Sequence, residues 1–485
     1  MELLEAPDHW LSRFLFERAL AGIYLIAFLV ARNQFRPLLG EHGLLPVPRF
    51  VRLVPFRRAP SLFHRRYSDR LLAVVAGTGM GASALLLLGL PQRGPVWLPM
   101  LAWFACWALY LSIVNVGQTF YALGWESLLL DAGFAAIFLG PSWAAPPAVM
   151  PWLLRWLLFR LEFGAGLIKI RGDPCWRDLT CLFYHHETQP MPNPLSWYFH
   201  RLPRWVHRLE VAGNHVLQLV VPFGLFAPQP VAAAAGLATL VHQSWLILSG
   251  NFSWLNWMAV TLAVWAFTDG QLDGLPPLRG LEPAILSPSP GWFQAAALAY
   301  AALVVVLSWF PVRNMLSRRQ LMNYSFNPLH LVNTYGAFGS ITRERYEIAI
   351  EGTADERVGP ATEWREYGFK GKPGHPRRRP PQVAPYHLRL DWLMWFAAMG
   401  SPLAHPWIIV LCERLLEGDG PTLKLLRSNP FPDRPPRYVR ASLYRYRFTT
   451  WAERRATGAW WVRTYVGEYL PPMRLEPRAG ARPGG

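Results

Sequence analysis

The stretch from Arg160 to Pro203, RLEFGAGLIKIRGDPCWRDLTCLFYHHETQPMPNPLSWYFHRLP, gathers the side chains of this 485-residue chain best able to do chemistry. It opens as an apolar helix carrying Glu162 and Lys169, then leaves into a loop dense in Arg, Asp, Trp, His and Pro. Glu162 and Lys169 stand seven residues apart, two helical turns, and share a face with Arg155 and Gly166. Only four of the 48 basic residues are lysine, and Lys169 is the sole one in the first 369 positions. An amine desolvated in an apolar pocket loses proton affinity and can act as a base near neutral pH. The competing reading is structural: Glu162, two turns away, would hold the ammonium charged.

The loop that follows offers binding chemistry more than catalysis. Asp173 before Pro174 is a helix start, with the carboxylate capping and the proline in the first helical position. Trp176, Arg177 and Asp178 combine a hot-spot-type aromatic, a guanidinium and a carboxylate. His185, His186 and Glu187 raise the question of a metal, but adjacent histidines lack the i, i+4 spacing of a helical zinc pair and no Cys-x-x-Cys supports them. No metal and no other cofactor is expected. Cys175 and Cys181 are the one pair that shares a loop. Whether they are bridged stays open, because a spacing of six on a continuous helix points the side chains apart. Cys106 and Cys412 read as small buried thiols.

The elements that must position these residues are membrane helices. Hydrophobic residues make up 52% of the chain, charged ones only 16%, and there are 24 Trp. The net charge of +17 falls in loops and in the C-terminal third, without a zinc-finger or RNP-like pattern, so a lipid surface is the expected partner and nucleic acid is not. Apolar runs of spanning length lie near 14–31, 71–90, 96–116, 118–140, 150–170, 210–227, 230–249, 252–268 and 292–311. The fold class expected is a mainly α, polytopic bundle of about nine spans over 1–311, followed by a soluble α+β domain over 312–470 and a disordered tail over 471–485. An odd count places loop 32–70, loop 171–208 and everything after 311 on one side. Loop 32–70 reads as a membrane-surface segment with snorkelling arginines. In the soluble domain, β-prone runs at 346–350, 364–369, 438–449 and 460–469 frame two helical patterns at 388–399 and 407–416.

Ionisable groups inside spans cost about 2.5 to 3.5 kcal/mol each, so they should face inward and have partners. Here they are Glu126, Asp131, Arg155, Arg160, Glu162 and Lys169, with His215 and His242, Asn214, Gln218 and Gln243 adding polarity. The expected arrangement has Arg155, Arg160 and Lys169 neutralising Glu126, Asp131 and Glu162. No Gly-x-Ser-x-Gly elbow and no P-loop occurs, which argues against a hydrolase and against ATP-driven work. Trp392, Trp395, Tyr444, Tyr446, Trp460 and Trp461 are aromatic contacts for a partner unless they fill the core.

The run GAGLIKIRGDPCWRDLTCLFYHHETQPMPNPLSWYFH, with NTYGAFGSITRERYEIAIEGT, RRRPPQVAPYHLRLDWLMWFAAM and YVRASLYRYRFTT, closely resembles the lipase maturation factor family. That resemblance covers nearly the whole chain. It implies a multi-pass membrane protein that helps secreted lipases reach their folded, dimeric form, with a luminal C-terminal domain in the endoplasmic reticulum of eukaryotic relatives. The bias toward Arg, Ala and Pro looks bacterial, which would put the chain in a plasma membrane. The nine arginines of loop 32–70 favour instead a cytoplasmic location for that face. A fainter likeness, AGLIK followed by an Asp and a Trp, is to the vitamin K-dependent carboxylases. It implies an alternative in which Lys169 is the base of a membrane enzyme acting on a quinone or lipid.

Overall fold

The computed structural model describes residues 4–281 and 285–475. Its N-terminal part is a helical bundle of α1 (Trp10–Leu39), α2 (Asp69–Leu87), α3 (Trp97–Asn115), α4 (Gly124–Ala136) and α5 (Val149–Arg171). It continues with α6 (Leu182–Thr188), α7 (Ser196–His200), α8 (Arg204–Leu219), α9 (Val231–Ser249), α10 (Leu255–Ala263) and α11 (Gly291–Leu316). Local signals set several boundaries. The Ser68 hydroxyl caps α2 by accepting the Leu71 N–H, and Asp173 stops the chain after α5 by capping a short turn over Pro174–Arg177.

Five helices are long and apolar enough to cross a bilayer by length and composition: Pro7–Leu39, Asp69–Leu87, Trp97–Asn115, Val231–Ser249 and Gly291–Leu316. Five of the nine expected runs yield such a helix among the described residues, and the other four do not meet this measure. Run 118–140 breaks at Ala122 into a turn and the 13-residue α4. Run 210–227 is interrupted before Pro222, and run 252–268 yields a nine-residue α10 followed by a 3₁₀ turn. Segment 150–170 is a continuous helix of 23 residues, but its charged residues lower its hydropathy. The first loop is also shorter than the 32–70 expected, because α1 continues to Leu39.

The bundle has two distinct ends. At one, the Asp269 carboxylate accepts the N–H groups of Trp10 (2.7 Å) and Leu11 (2.9 Å), and Arg13 donates to the Ala144 carbonyl at 2.7 Å. At the other, Gln34 donates to the His387 carbonyl (2.6 Å), Asn115 to that of Pro328 (3.0 Å), Arg171 to that of Met315 (2.7 Å) and Asn251 to that of Pro381 (2.9 Å). The first loop, the loop after α5 and the region beyond α11 thus meet at the same end.

That C-terminal region carries a four-stranded antiparallel sheet in the order β2-β1-β3-β4, where β1 is Arg345–Thr353, β2 Arg365–Glu366, β3 Tyr438–Phe448 and β4 Trp461–Met473. The helices α12 (Arg389–Ala397) and α13 (Trp407–Leu416) lie on the runs expected for them. A further helix, α14 (Trp451–Thr457), begins at a Thr450–Glu453 capping box and ends at Gly458, whose φ of 69° suits glycine. Strand β4 takes in 471–473 of the expected tail, while 476–485 lie outside the described residues. Bundle and sheet region share one continuous core, with Phe28, Trp125, Trp254, Trp392 and Leu411 among its members. Trp125 and Trp392 meet edge to face at 4.9 Å.

Candidate functional site

Helix α5 supplies the centre of the site. Lys169 Nζ donates to Asn214 Oδ1 at 3.0 Å and Gln218 Oε1 at 2.7 Å, and it lies 5.1 Å from the ring centre of Trp176. Gln218 passes the connection on, donating to Glu162 Oε2 at 3.1 Å. Gln243 donates to the other oxygen of Glu162 at 2.5 Å and accepts from Asn256 at 2.6 Å. The expected lysine–glutamate pair is thus a relay through an amide, drawn from α5, α8, α9 and α10. Gly166 lets α8 come close enough to complete it, since a Cβ there would meet the side chains of Gln218 and Leu219.

This relay forms the polar wall of a cavity of about 250 Å³. The rest of the lining is mainly apolar and includes Leu161, Leu217, Leu246, Phe252 and Phe338. Trp176, His185, His186 and His242 also face it. His242 is buried with neither ring nitrogen bonded among the described residues. Burial, with Lys169 nearby, pushes His185 down to about 3, so it is a neutral ring against Phe338 and Phe252. The cavity can hold a small amphiphile.

The other charges of the bundle pair differently from expectation. Arg160 does bond Asp131, at 3.0 Å, and the Asp131 carboxylate also accepts from the Tyr335 hydroxyl (2.9 Å) and the Asn333 N–H (3.2 Å). Glu126, however, takes its counter-charge from Arg389 of α12 at 2.8 Å, both side chains fully buried, and accepts from the Tyr110 hydroxyl as well. Among the described residues Arg155 has no carboxylate partner. It donates to the carbonyls of Trp265 (2.7 Å) and Leu225 (3.3 Å). The reason lies in topology: the C-terminal region inserts Asn333, Tyr335 and Arg389 into the bundle, and no periodicity within the spans could reveal those partners.

The loop after α5 is bonded to that same region. Asp173 accepts from Arg343 at 2.8 Å and from the backbone N–H groups of Cys175 and Ile341. Burial alone would raise its carboxyl, but these donors together hold it below the ordinary aspartate value. Trp176 is buried and donates to the Phe338 carbonyl at 2.8 Å, so it serves the cavity wall and cannot be an exposed contact. His215 bonds the Trp176 carbonyl at 2.9 Å. Arg177 and Asp178 point to solvent. Cys175 and Cys181 form a disulfide, made possible because the chain turns between them and brings the Cα atoms to 4.8 Å.

Further along, Arg345 donates to the carbonyls of Glu187, Gln189 and Pro190, and Trp197 to that of Thr449 at 3.0 Å. Trp392, Tyr446, Trp460 and Trp461 are buried, and Trp395 and Tyr444 are half-buried, so these aromatics belong mainly to the core. The exposed aromatics at this junction are others. Tyr198 (40% exposed) and Trp451 (49%) lie with ring centres 6.1 Å apart, one from the loop and one from α14.

Comparison with known proteins covers both parts of the chain. The family model for the lipase maturation factor transmembrane domain matches residues 11–274, and that for the lipase maturation factor C-terminal domain matches residues 331–471. The chain is 44% identical to lipase maturation factor 1 of Bos taurus over 512 residues, covering 98% of this chain and 91% of the relative. It is 44% identical to lipase maturation factor 1 of Homo sapiens over 511 residues, with coverage of 98% and 89%. Lipase maturation factor 2 of Rattus norvegicus is 30% identical over 596 residues, with coverage of 95% and 83%. No solved structure matches the chain.

Proposed function

The chain belongs to the lipase maturation factor family, and from that premise we propose that it is a membrane-embedded maturation factor for secreted proteins such as lipases. It acts by binding energy alone, covering apolar surface of a folding client until that surface is buried in the finished protein. The observation that carries this reading is the junction of loop and sheet region. Arg345, Trp197 and Asp173 lock the two into one surface, on which Tyr198 and Trp451 present an aromatic pair of the kind that anchors protein interfaces. Arg177 and Asp178 add exposed charge on the same loop.

The bundle serves as the platform. The five long apolar helices meet the lipid, and α4, α5, α8 and α10, three of them shorter, complete nine passes within their shelter. Helix α4 supports this reading: the Trp125 carbonyl at its start receives Trp254 Nε1 near the sheet region, and the Leu139 carbonyl beyond its end receives Arg13 at the opposite face. The Cys175–Cys181 bridge supports an oxidising compartment for the client-facing surface, the endoplasmic reticulum lumen in a eukaryote or the periplasm in a bacterium. The arginines of the first loop weigh less than the bridge, because charge bias is a tendency with exceptions.

The enzyme alternative is disfavoured by the resemblance of the whole chain to maturation factors. Co-purification tests the proposal. A secreted lipase co-expressed with the chain should be recovered with it, and a Tyr198→Ala/Trp451→Ala variant should recover several-fold less. Equal recovery by the double variant would remove this surface from the account.

A further inference from the structure

A second cluster of ionisable side chains lies at the loop-facing end of α8, and nothing in the maturation role uses it. His207 and Glu210 are three residues apart and share a face of α8. His186 reaches them from α6. One donor atom from each of the three lies within 4.8 Å of the other two. His207 Nδ1 and Glu210 Oε2 are 2.8 Å apart, and Trp245 Nε1 donates to the second carboxylate oxygen, Oε1, at 2.8 Å.

What a hydrogen-bonded His–Glu pair cannot explain is the remainder of the cluster. Both ring nitrogens of His186 and Nε2 of His207 are buried and have no hydrogen-bond partner among the described residues. His186 is 3% exposed and His207 2%. A buried polar atom left without a partner destabilises the fold, and several at one place call for a ligand. The neighbouring rings restrict how the cluster can relax. His186 packs against Phe199 and His207 with ring centres 5.5 Å away in each case, and Phe183 lies 6.1 Å from His207.

We propose that His186, His207 and Glu210 form a binding site for a divalent transition-metal ion of the zinc class. Two imidazoles and one carboxylate are a borderline-soft N₂O set that suits zinc and does not suit calcium or magnesium. With bonds of about 2.0 to 2.1 Å, tetrahedral donors stand about 3.3 Å apart, a spacing reached by small side-chain shifts from the 4.8 Å within which the three donor atoms already lie. The bond from Trp245 to Oε1 orients Glu210 and leaves Oε2 for the ion, the outer-shell support such ligands require. Three protein donors leave the fourth position to water. A cavity lined by His200, Arg201, Arg204 and His207 adjoins the cluster on one side, and His186 and Glu210 face the Lys169 cavity on the other. The ion would staple the loop carrying α6 to the membrane helix α8. The proposal does not depend on the maturation role.

The test uses the full chain in detergent, stripped with a chelator and titrated with cobalt(II), then with zinc. The expected result is a visible cobalt spectrum of tetrahedral type that saturates at one ion per chain and is displaced by zinc. Glu210→Gln and His207→Asn should each weaken cobalt binding at least tenfold, whereas His242→Gln, a buried histidine of the adjoining cavity, should bind as the parent does. Absence of saturable cobalt uptake by the unsubstituted protein overturns the site, a result that requires no variant to fold. Uptake undiminished in a folded Glu210→Gln/His207→Asn double variant overturns it equally.

Discussion

Replacing Arg389 by Met should release the sheet region from the bundle, and the size of the effect can be worked from the surroundings of one carboxylate. Glu126 and Arg389 are fully buried and 2.8 Å apart, and Arg389 also donates to the Phe120 carbonyl and lies over the Tyr121 ring. Removing the guanidinium leaves Glu126 with the Tyr110 hydroxyl and no counter-charge. Breaking one side of such a pair costs about 3 to 5 kcal/mol. At about 1.4 kcal/mol per factor of ten, the undocked population rises by roughly two to three and a half orders of magnitude. The assay is limited proteolysis in detergent, read as the rate of cleavage within 317–330, which follows the open population when closing outpaces cutting. A Glu126→Leu/Arg389→Met double variant removes both charges and should recover most of the protection, because a buried pair replaced by apolar groups is often near neutral. Protection of Arg389→Met equal to the parent would refute the reasoning, as would a double variant as labile as the single one.

Three further outcomes follow from other residues. His387 is buried against Trp125 and Trp254, and burial, reinforced by Arg389, holds its pKa well below the ordinary value of 6.5. The unfolded chain binds this proton and the folded chain does not, so stability should fall as pH drops below 6.5, by at most about 1.4 kcal/mol per unit. A His387→Phe variant should flatten that slope, and an unchanged acid profile would contradict the assignment. Alkylation of the unfolded, unreduced protein should label two thiols, Cys106 and Cys412, and reduction should expose two more. Four labelled thiols before reduction would argue against the oxidising compartment. Finally, Lys169→Met leaves Glu162 without its relayed cation, so Lys169→Met/Glu162→Gln should accumulate to a higher level in the membrane than Lys169→Met alone. If the double variant is the poorer of the two, the relay is not what stabilises the pair.

Much of the site was legible because charge is conspicuous in apolar sequence. The interruption of an apolar helix by Glu162 and Lys169 marked the cavity, and Asn214, Gln218 and Gln243 stood out in later spans for the same reason. Asn256 carries that signal as well, a lone amide in the run LNWMAVTLA, and it completes the relay. The partners of Glu126 and Asp131 were not legible, since Arg389, Asn333 and Tyr335 come from beyond the last span and their approach depends on how the C-terminal region docks. Trp176 looked like an exposed hot spot because composition cannot tell a contact surface from a cavity wall. In the sheet region β1, β3, β4 and the two expected helices lie on their patterns, whereas run 364–369 yields only the two-residue β2 and α14 falls on no expected run; in the bundle, Pro222 and short helices break the apolar runs. His207 and Glu210 went unnoticed beside His186 because the three meet across two elements and not along one.

The central claim is that this chain brings secreted clients to their folded state. Its most direct measurement is the ratio of enzymatic activity to antigen mass for a lipase secreted by cells lacking their own lipase maturation factor, with and without the chain supplied. The account predicts a ratio that rises severalfold with the chain present and falls back with Tyr198→Ala/Trp451→Ala. A ratio identical in the presence and absence of a well-expressed chain would contradict it.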